Sequence, residues 1–151
     1  MKWIHFGDGS MLDEMKNLAS ERLGDKSNIA YEFAGRVDNK AVMDFYAKGV
    51  VDCFITTTST EGNPVSVQEA LSFGIPIIGT TVSDIPCMIQ GNGVLLPENP
   101  TAEEDAEAIR KLALCSAEEQ RCMREISYKI WERDYDGDTN YHQFVDNLLE
   151  V

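Results

Sequence analysis

The sequence predicts an α/β chain in which a parallel sheet carries helices on both faces. Short apolar runs of strand length alternate with helical stretches between residues 3 and 96. The run 50–55 is apolar at nearly every position, as a strand buried on both faces requires. Glycine turns follow several of these runs, where a parallel sheet needs the chain to leave for a crossover helix.

The elements are predicted in the order strand, helix, strand, helix. The predicted strands are 3–6, 29–34, 50–55, 75–78 and 94–96. The predicted helices in this region cover 11–23, 39–46 and 64–73. Side chains that can cap a helix precede the first two, namely Ser10 or Asp8 and Asp38 or Asn39.

From Thr101 onward the pattern is helical. Two capping boxes are predicted, Thr101 with Glu104 and Ser116 with Glu119. The residues expected to face inward are Ala106, Ile109 and Leu112 in one helix and Cys122, Met123, Ile126 and Ile130 in the next. A last amphipathic helix is predicted to carry Tyr141, Phe144, Leu148 and Leu149.

Composition restricts the classes of function. A chain of 151 residues with 43% hydrophobic content is expected to form one compact domain. The net charge of −13 argues against nucleic acid or anionic lipid as a partner. No apolar run approaches the ~20 residues of a membrane span, and the start lacks the pattern of a signal peptide. The four cysteines lack metal-binding spacing, so we expect buried, reduced thiols and a cytoplasmic protein.

The stretch from Thr58 to Ala70 has the features of an anion site. Gly62 suits a tight turn, and Pro64 suits the first position of a helix that Gly74 ends. The free N–H groups of Val65 and Ser66 would point out of the helix start, where the helix dipole favours an anion such as a diphosphate.

Two carboxylates flank this predicted site. Glu61 lies in the loop and Glu69 lies about two turns into the helix, and both can accept hydrogen bonds from sugar hydroxyls. Each feature alone is common in ordinary turns and solvated helices, so the prediction depends on their combination between two strands.

These residues resemble a known family. The run Glu61-Gly62-Asn63-Pro64 to Glu69-Ala70, followed by Phe73-Gly74-Ile75-Pro76, is similar to the Glu, seven residues, Glu motif of retaining GT-B glycosyltransferases of family four, glycosyl transferases group 1. The resemblance covers nearly the whole chain. It implies a Rossmann-like sheet, one half of a GT-B fold, with 1–151 as the C-terminal nucleotide-sugar-binding domain and the N-terminal acceptor domain absent.

The resemblance also implies roles for individual residues. The amides of Val65 and Ser66, with Gly62, Asn63 and Pro64 in the preceding turn, would hold the donor diphosphate. Glu69 would accept hydrogen bonds from the ribose, and Glu61 would contact the donor sugar as the catalytic candidate. No metal and no cofactor beyond the nucleotide-sugar donor are expected.

Two further residues are weaker candidates for the donor cleft. Gly9 stands in a Gly-Asp-Gly turn that the family also has, although a purely structural turn explains it equally well. Arg36 follows the second predicted strand, where the family approaches the nucleotide base, although an ordinary surface arginine is the alternative.

The chain departs from the family in ways that limit the prediction. Many members have Glu where Cys87 stands, and the loop 56–64 contains no Lys or Arg. In the family, the Arg and Lys that clamp the diphosphate lie upstream of the position of Met1. We therefore expect a domain fragment that binds its donor weakly and transfers no sugar alone. The expected acceptor is a cell-surface or exported polysaccharide or a glycolipid, and contact with a membrane would come through the missing domain.

Other interpretations remain open. The fold can serve as a non-catalytic interaction module whose acidic helices after Thr101 bind a partner. A sugar-nucleotide epimerase of related architecture would show turnover without an acceptor. A glycosidase-type carboxylate pair needs side chains about 5–10 Å apart. A calcium loop at 134–138 is disfavoured because Val145 stands where the twelfth ligand belongs.

Overall fold

The computed structural model describes residues 1–49 and 51–149, and the chain divides into a first unit, Met1–Phe45, and a second unit, Tyr46–Val151. Val50, the first residue of a predicted strand, lies outside the described residues. The elements are β1 (Lys2–Phe6), α1 (Leu12–Leu23), β2 (Ala30–Gly35), α2 (Asn39–Lys48), β3 (Phe54–Thr56), α3 (Val65–Ser72), β4 (Ile77–Thr80), α4 (Ile85–Met88), β5 (Gly93–Leu96), α5 (Ala102–Ala113), α6 (Ala117–Asp134) and α7 (Gly137–Leu149). The predicted alternation of strands and helices is confirmed.

Strand pairing is parallel in both units, as predicted. In the first unit β1 pairs with β2, and in the second unit the described strands pair in the order β3-β4-β5. All four residues of β4 are buried, since β4 lies between two partner strands. A parallel strand with covered faces needs apolar residues throughout, which explains the sequence of this run.

An aromatic cluster marks the first unit. The rings of Trp3 and Phe33 lie 5.1 Å apart and those of His5 and Phe33 lie 5.7 Å apart. Phe6 packs against Phe45 of α2 at 5.3 Å. These contacts join β1, β2 and α2.

The two predicted caps in the first unit have different outcomes. Asp38 caps α2, because its carboxylate accepts a hydrogen bond of 2.8 Å from the N–H of Ala41. The prediction of Ser10 or Asp8 as the cap of α1 is wrong, since Met11 occupies the N-cap position without a side-chain hydrogen bond. The Gly9 carbonyl instead accepts from the N–H of Leu12, so the main chain satisfies this donor.

A buried polar network fastens α6 to the β3-β4-β5 sheet. The Asn92 side chain donates to the hydroxyl of Ser127, and that hydroxyl donates to the carbonyl of Ile75 at 2.9 Å. The Arg124 guanidinium donates to the carbonyls of Gly74 and Val51. Because Asn92 and Ser127 are fully buried, their hydrogen bonds compensate for the lost hydration of their polar groups.

Of the helices after residue 101, α5 packs against β5 and α6 packs against α3. Both predicted capping boxes are present, at Thr101 with Glu104 and at Ser116 with Glu119. The cluster formed with α5 consists of Ile78, Leu96, Ala108 and Leu112.

Some predicted inward positions are wrong. Ala106 is exposed, and Ala108 takes its place because the buried stripe of α5 runs through 108 and 112, which are four residues apart. Cys122 and Cys87 are also exposed, and Cys53 and Cys115 are only half-buried, so the expectation of buried thiols is wrong. All four cysteines are free.

The last helix, α7, is present, but its apolar side chains are largely exposed. Tyr141, Phe144 and Leu148 are each more than 60% exposed. Across residues 1–49 and 51–149, we find no helix with the length and apolar character needed to cross a bilayer.

We expect Gly93→Ala to unfold or strongly destabilise the second unit. A Cβ atom at position 93 would lie 1.8 Å from the carbonyl oxygen of Ile77, so β4 and β5 could not keep their pairing. We expect a loss of about 3 kcal/mol or more in the free energy of unfolding, measured by urea denaturation. Gly137→Ala is the matched control, because its Cβ would meet nothing within 4 Å. Equal stability of the two variants would contradict the close packing of β4 and β5.

Candidate functional site

The candidate site lies where α3 begins, at the carboxyl ends of β3 and β4. In the parallel register, Thr56 at the end of β3 stands opposite Gly79 of β4. Ligands of open α/β sheets bind at this edge. The segment 57–64, which we call the site loop, leads from β3 to α3.

The helix begins one residue later than predicted. Pro64 has φ −71° and ψ 105° and is the N-cap, so Val65 and not Pro64 is the first helical residue. The carbonyl of Pro64 accepts from the N–H groups of Val67 and Gln68 at 3.1 and 3.2 Å. Gly74 follows the helix with φ +64°, as predicted for the residue after its end.

The first two N–H groups of α3 face an open helix start. Val65 is 63% exposed and Ser66 is also exposed. Within the described residues, no protein acceptor is found for the N–H of either residue. The geometry therefore permits an anion at this position, while its binding stays a prediction.

The two carboxylates differ in environment. Glu61 is exposed in the site loop, whereas Glu69 is half-buried on α3. Glu69 stands four residues after Val65, so the two lie on one face of the helix, about 6 Å apart along its axis.

Tyr46 lies near Glu69 and packs against Phe73, and neither aromatic residue was predicted as part of the site. Burial, and then the negative charge of Glu69, raise the pKa of Tyr46 to about 12. The rings of Tyr46 and Phe73 lie 5.6 Å apart. The sequence offers little sign of this contact, because Tyr46 and Phe73 are far apart in the chain. The only signal was that each is an aromatic residue at the end of a predicted helix.

The site loop is held by polar contacts. The buried hydroxyl of Thr80 donates to the carbonyl of Thr58 at 2.7 Å. The Thr58 hydroxyl donates to the carbonyl of Thr60 and accepts from its N–H. The Asn63 side-chain oxygen accepts from the Gln68 amide at 2.7 Å, which joins the loop to α3.

Gly62 does not have the conformational role that the sequence suggested. Its φ is not positive, and a Cβ atom there would meet nothing within 4 Å. The turn therefore does not require glycine, and the absence of a side chain instead leaves the backbone of the exposed loop accessible.

Gly9 and Arg36 lie in the first unit. Both are exposed, and Arg36 follows the carboxyl end of β2. No hydrogen bond or ion pair of the Arg36 guanidinium is found in the part of the chain that the structure describes. Their roles in donor binding stay predictions.

Metal ligation was not predicted for this chain. Among the described residues, no group of three or more His, Cys, Asp or Glu side chains is placed to hold a metal ion. Cys87 is exposed in the four-residue helix α4.

Comparison with protein families identifies the chain's relatives. The model of the family "Glycosyl transferases group 1" matches residues 2–130. No curated protein matches the chain at a significant level.

Several solved glycosyltransferase structures share the fold. Sucrose-phosphate synthase from Thermosynechococcus elongatus superposes with a TM-score of 0.76 at 18% identity, over 99% of this chain and 38% of the other. Anabaena HepE in complex with UDP and glucose gives 0.71 at 20% identity, over 98% and 40%. The pneumococcal O-GlcNAc transferase GtfA in complex with UDP and GlcNAc gives 0.72 at 18% identity, over 100% and 30%.

These likenesses confirm the predicted fold class, an α/β GT-B-type domain with parallel strands and helices on both sides. The chain spans about two fifths of the length of the first two structures and less of the third.

We expect Glu69→Ala to lower the pKa of Tyr46 from about 12 without bringing it to the ordinary value of 10.0, because burial is the larger of the two causes. Alkaline titration of tyrosinate absorbance, with Tyr46→Phe to assign the signal, measures the change. The stability that arises from this raised pKa is fully present below pH 10 and is lost as pH rises through about 12. Glu107→Ala on α5 is the control that should leave the titration unchanged, and an unchanged titration in Glu69→Ala would separate Glu69 from Tyr46.

Proposed function

The chain belongs to the glycosyl transferases group 1 family, and we propose that it is the donor-binding half of a retaining GT-B glycosyltransferase. The observation that carries this proposal is the open start of α3 at the carboxyl edge of the β3-β4-β5 sheet. UDP is present in the complexes of HepE and GtfA, whose folds this chain shares. The ligand proposed here is a nucleotide-diphosphate sugar.

The donor diphosphate binds the N–H groups of Val65 and Ser66 in this proposal. When the bond between the sugar's anomeric carbon and the phosphate oxygen breaks, negative charge develops on the departing diphosphate. Preorganised N–H groups at a helix start stabilise that charge without reorganisation. Gly62, Asn63 and Pro64 form the turn that presents these amides.

The two glutamates provide acceptors for hydroxyl groups. Glu69, one turn from Val65 on the same helix face, accepts hydrogen bonds from the ribose. Glu61, exposed in the site loop, contacts the donor sugar near the reacting carbon. Arg36 and Gly9 of the first unit are the two further proposed donor-binding residues.

Charge limits what this half can do alone. The site loop has no Lys or Arg, and the whole chain carries a net charge of −13. We propose that an Arg and a Lys outside this chain complete the diphosphate site, and that a separate acceptor domain is its partner in the full-length enzyme. The complete enzyme would work at the cytoplasmic side and transfer a sugar to a polysaccharide or glycolipid.

A non-catalytic interaction module is the second candidate. The observation that favours it is the exposed apolar set on α7, which includes Tyr141 and Phe144. This candidate predicts no affinity for nucleotide sugars and a stable complex with another protein.

Calorimetric titration with UDP-, GDP- and ADP-glucose tests the proposal. We expect weak but measurable binding of one of the three. Glu69→Ala should reduce that affinity by at least about tenfold, because hydrogen bonds to a charged group contribute about 1.5–3 kcal/mol. We also expect no sugar transfer by the chain alone.

The matched control is Glu107→Ala, which removes an exposed carboxylate paired with Arg110 on α5. It should retain the affinity of the unmodified chain. Equal affinity of the Glu69→Ala variant would remove Glu69 from the site, and absence of binding by all three donors would favour the interaction module.

A further inference from the structure

A buried hydroxyl ties the site loop to the sheet, and we propose that Thr80 is a positioning residue for the donor site. The inference rests on the proposed function, because it concerns the conformation in which the loop presents Glu61 and the amides of α3. Thr80 touches no donor in this proposal and acts through Thr58.

The placement of Thr80 is unusual for a polar side chain. It ends β4, the fully buried strand, and its own exposure is 0%. Its hydroxyl finds its acceptor 22 residues earlier in the chain, at the Thr58 carbonyl, over 2.7 Å. The next residue, Thr81, is held by its N–H bond to Leu96 of β5, so the donor of this contact has a fixed backbone.

The acceptor side continues into the loop. The Thr58 hydroxyl donates to the Thr60 carbonyl at 2.9 Å and accepts from the Thr60 N–H at 3.3 Å. Thr60 directly precedes Glu61. The hydrogen bonds therefore connect Thr80, through Thr58, to Thr60, the residue next to the proposed catalytic carboxylate.

Within the described residues, the bond between the Thr80 hydroxyl and the Thr58 carbonyl is the only hydrogen bond that joins 57–63 to a residue outside the site loop and α3. Ser59, Thr60 and Glu61 are exposed, so solvent and not packing surrounds them. A loop with few contacts samples many conformations, and ordering it on binding reduces affinity. The apparent affinity is the intrinsic affinity multiplied by the fraction of molecules that hold the binding conformation, so it falls as that fraction falls.

The second buried hydroxyl of this unit allows a matched comparison. Ser127 is also 0% exposed and donates to a main-chain carbonyl, that of Ile75, which precedes β4 at its opposite end. A substitution there removes this hydrogen bond and the one that Ser127 accepts from Asn92, without touching the site loop. The Ser127→Ala variant therefore reports the effect of lost stability alone.

The experiment compares Thr80→Val, Thr80→Ser and Ser127→Ala with the unmodified chain. Urea denaturation gives stability, calorimetry gives affinity for the donor that binds best, and hydrogen–deuterium exchange reports the loop amides without ligand. We expect Thr80→Val to weaken donor binding about three- to tenfold and to speed exchange at 58–63, consistent with one net hydrogen bond. Thr80→Ser should keep the donor affinity and the loop exchange rate of the unmodified chain. Ser127→Ala should lose stability without a change in donor affinity or loop exchange.

Other results would overturn the inference. Unchanged loop exchange in Thr80→Val would show that the hydroxyl does not hold the loop. If Ser127→Ala lowers donor affinity as much as Thr80→Val does, the loss of affinity comes from lost stability alone. If the unmodified chain binds no donor, the proposed function fails, while the exchange measurement still decides whether Thr80 holds the loop. Should Thr80→Val not fold, Thr58→Val removes the contact with Thr60 and is judged by the same two readouts.

Discussion

The start of α3 imposes the constraint on which the site depends. The first N–H groups of any helix have no intrahelical acceptor, and at α3 Pro64 removes one donor while Val65 and Ser66 keep theirs. The parallel pairing of β3 with β4 brings these two donors to the edge where the strands end. Because solvent or a ligand must accept from them, the open helix start is chemically unsatisfied within the described protein, and an anion satisfies it better than a neutral group.

The start of α3 has a fixed position because the opposite face of the helix is buried. Val67, Ala70 and Leu71 are fully buried, and α3 packs against α6. The network of Asn92 and Ser127 then joins α6 to the sheet. Burial of apolar side chains therefore fixes the direction of α3, while the polar network fixes α6, the helix against which α3 packs. In the site loop only Pro64 is buried, which is why single hydrogen bonds matter more there.

Local patterns in the sequence were enough for most of the elements and for the place of the site loop between β3 and α3, although the short helix α4 was not predicted. The ends of α3 followed from Pro64 and Gly74 to within one residue, and the capping boxes followed from residue types three positions apart. Which residues of a helix face the core was less predictable, since Ala106 and Cys122 lie at helical spacing beside the buried stripes and are nevertheless exposed. The contacts of Tyr46 with Phe73 and of Thr80 with Thr58 span more than twenty residues, and no periodicity encodes them. A threonine closing a fully apolar strand was the one available signal for Thr80.

Electrostatics explains why the site needs more than this chain supplies. Glu61 and Glu69 repel a diphosphate, and in water two unit charges about 4 Å apart interact by about 1 kcal/mol. A helix start offers about 0.3–1 kcal/mol for each neighbouring charge, so the amides and the carboxylates nearly cancel. In the proposed site, net attraction then comes from sugar hydroxyl groups that the glutamates bind and from cations outside the site loop. The carboxylates of that proposed site would therefore discriminate in favour of a diphosphate that carries sugars on both sides and against inorganic phosphate.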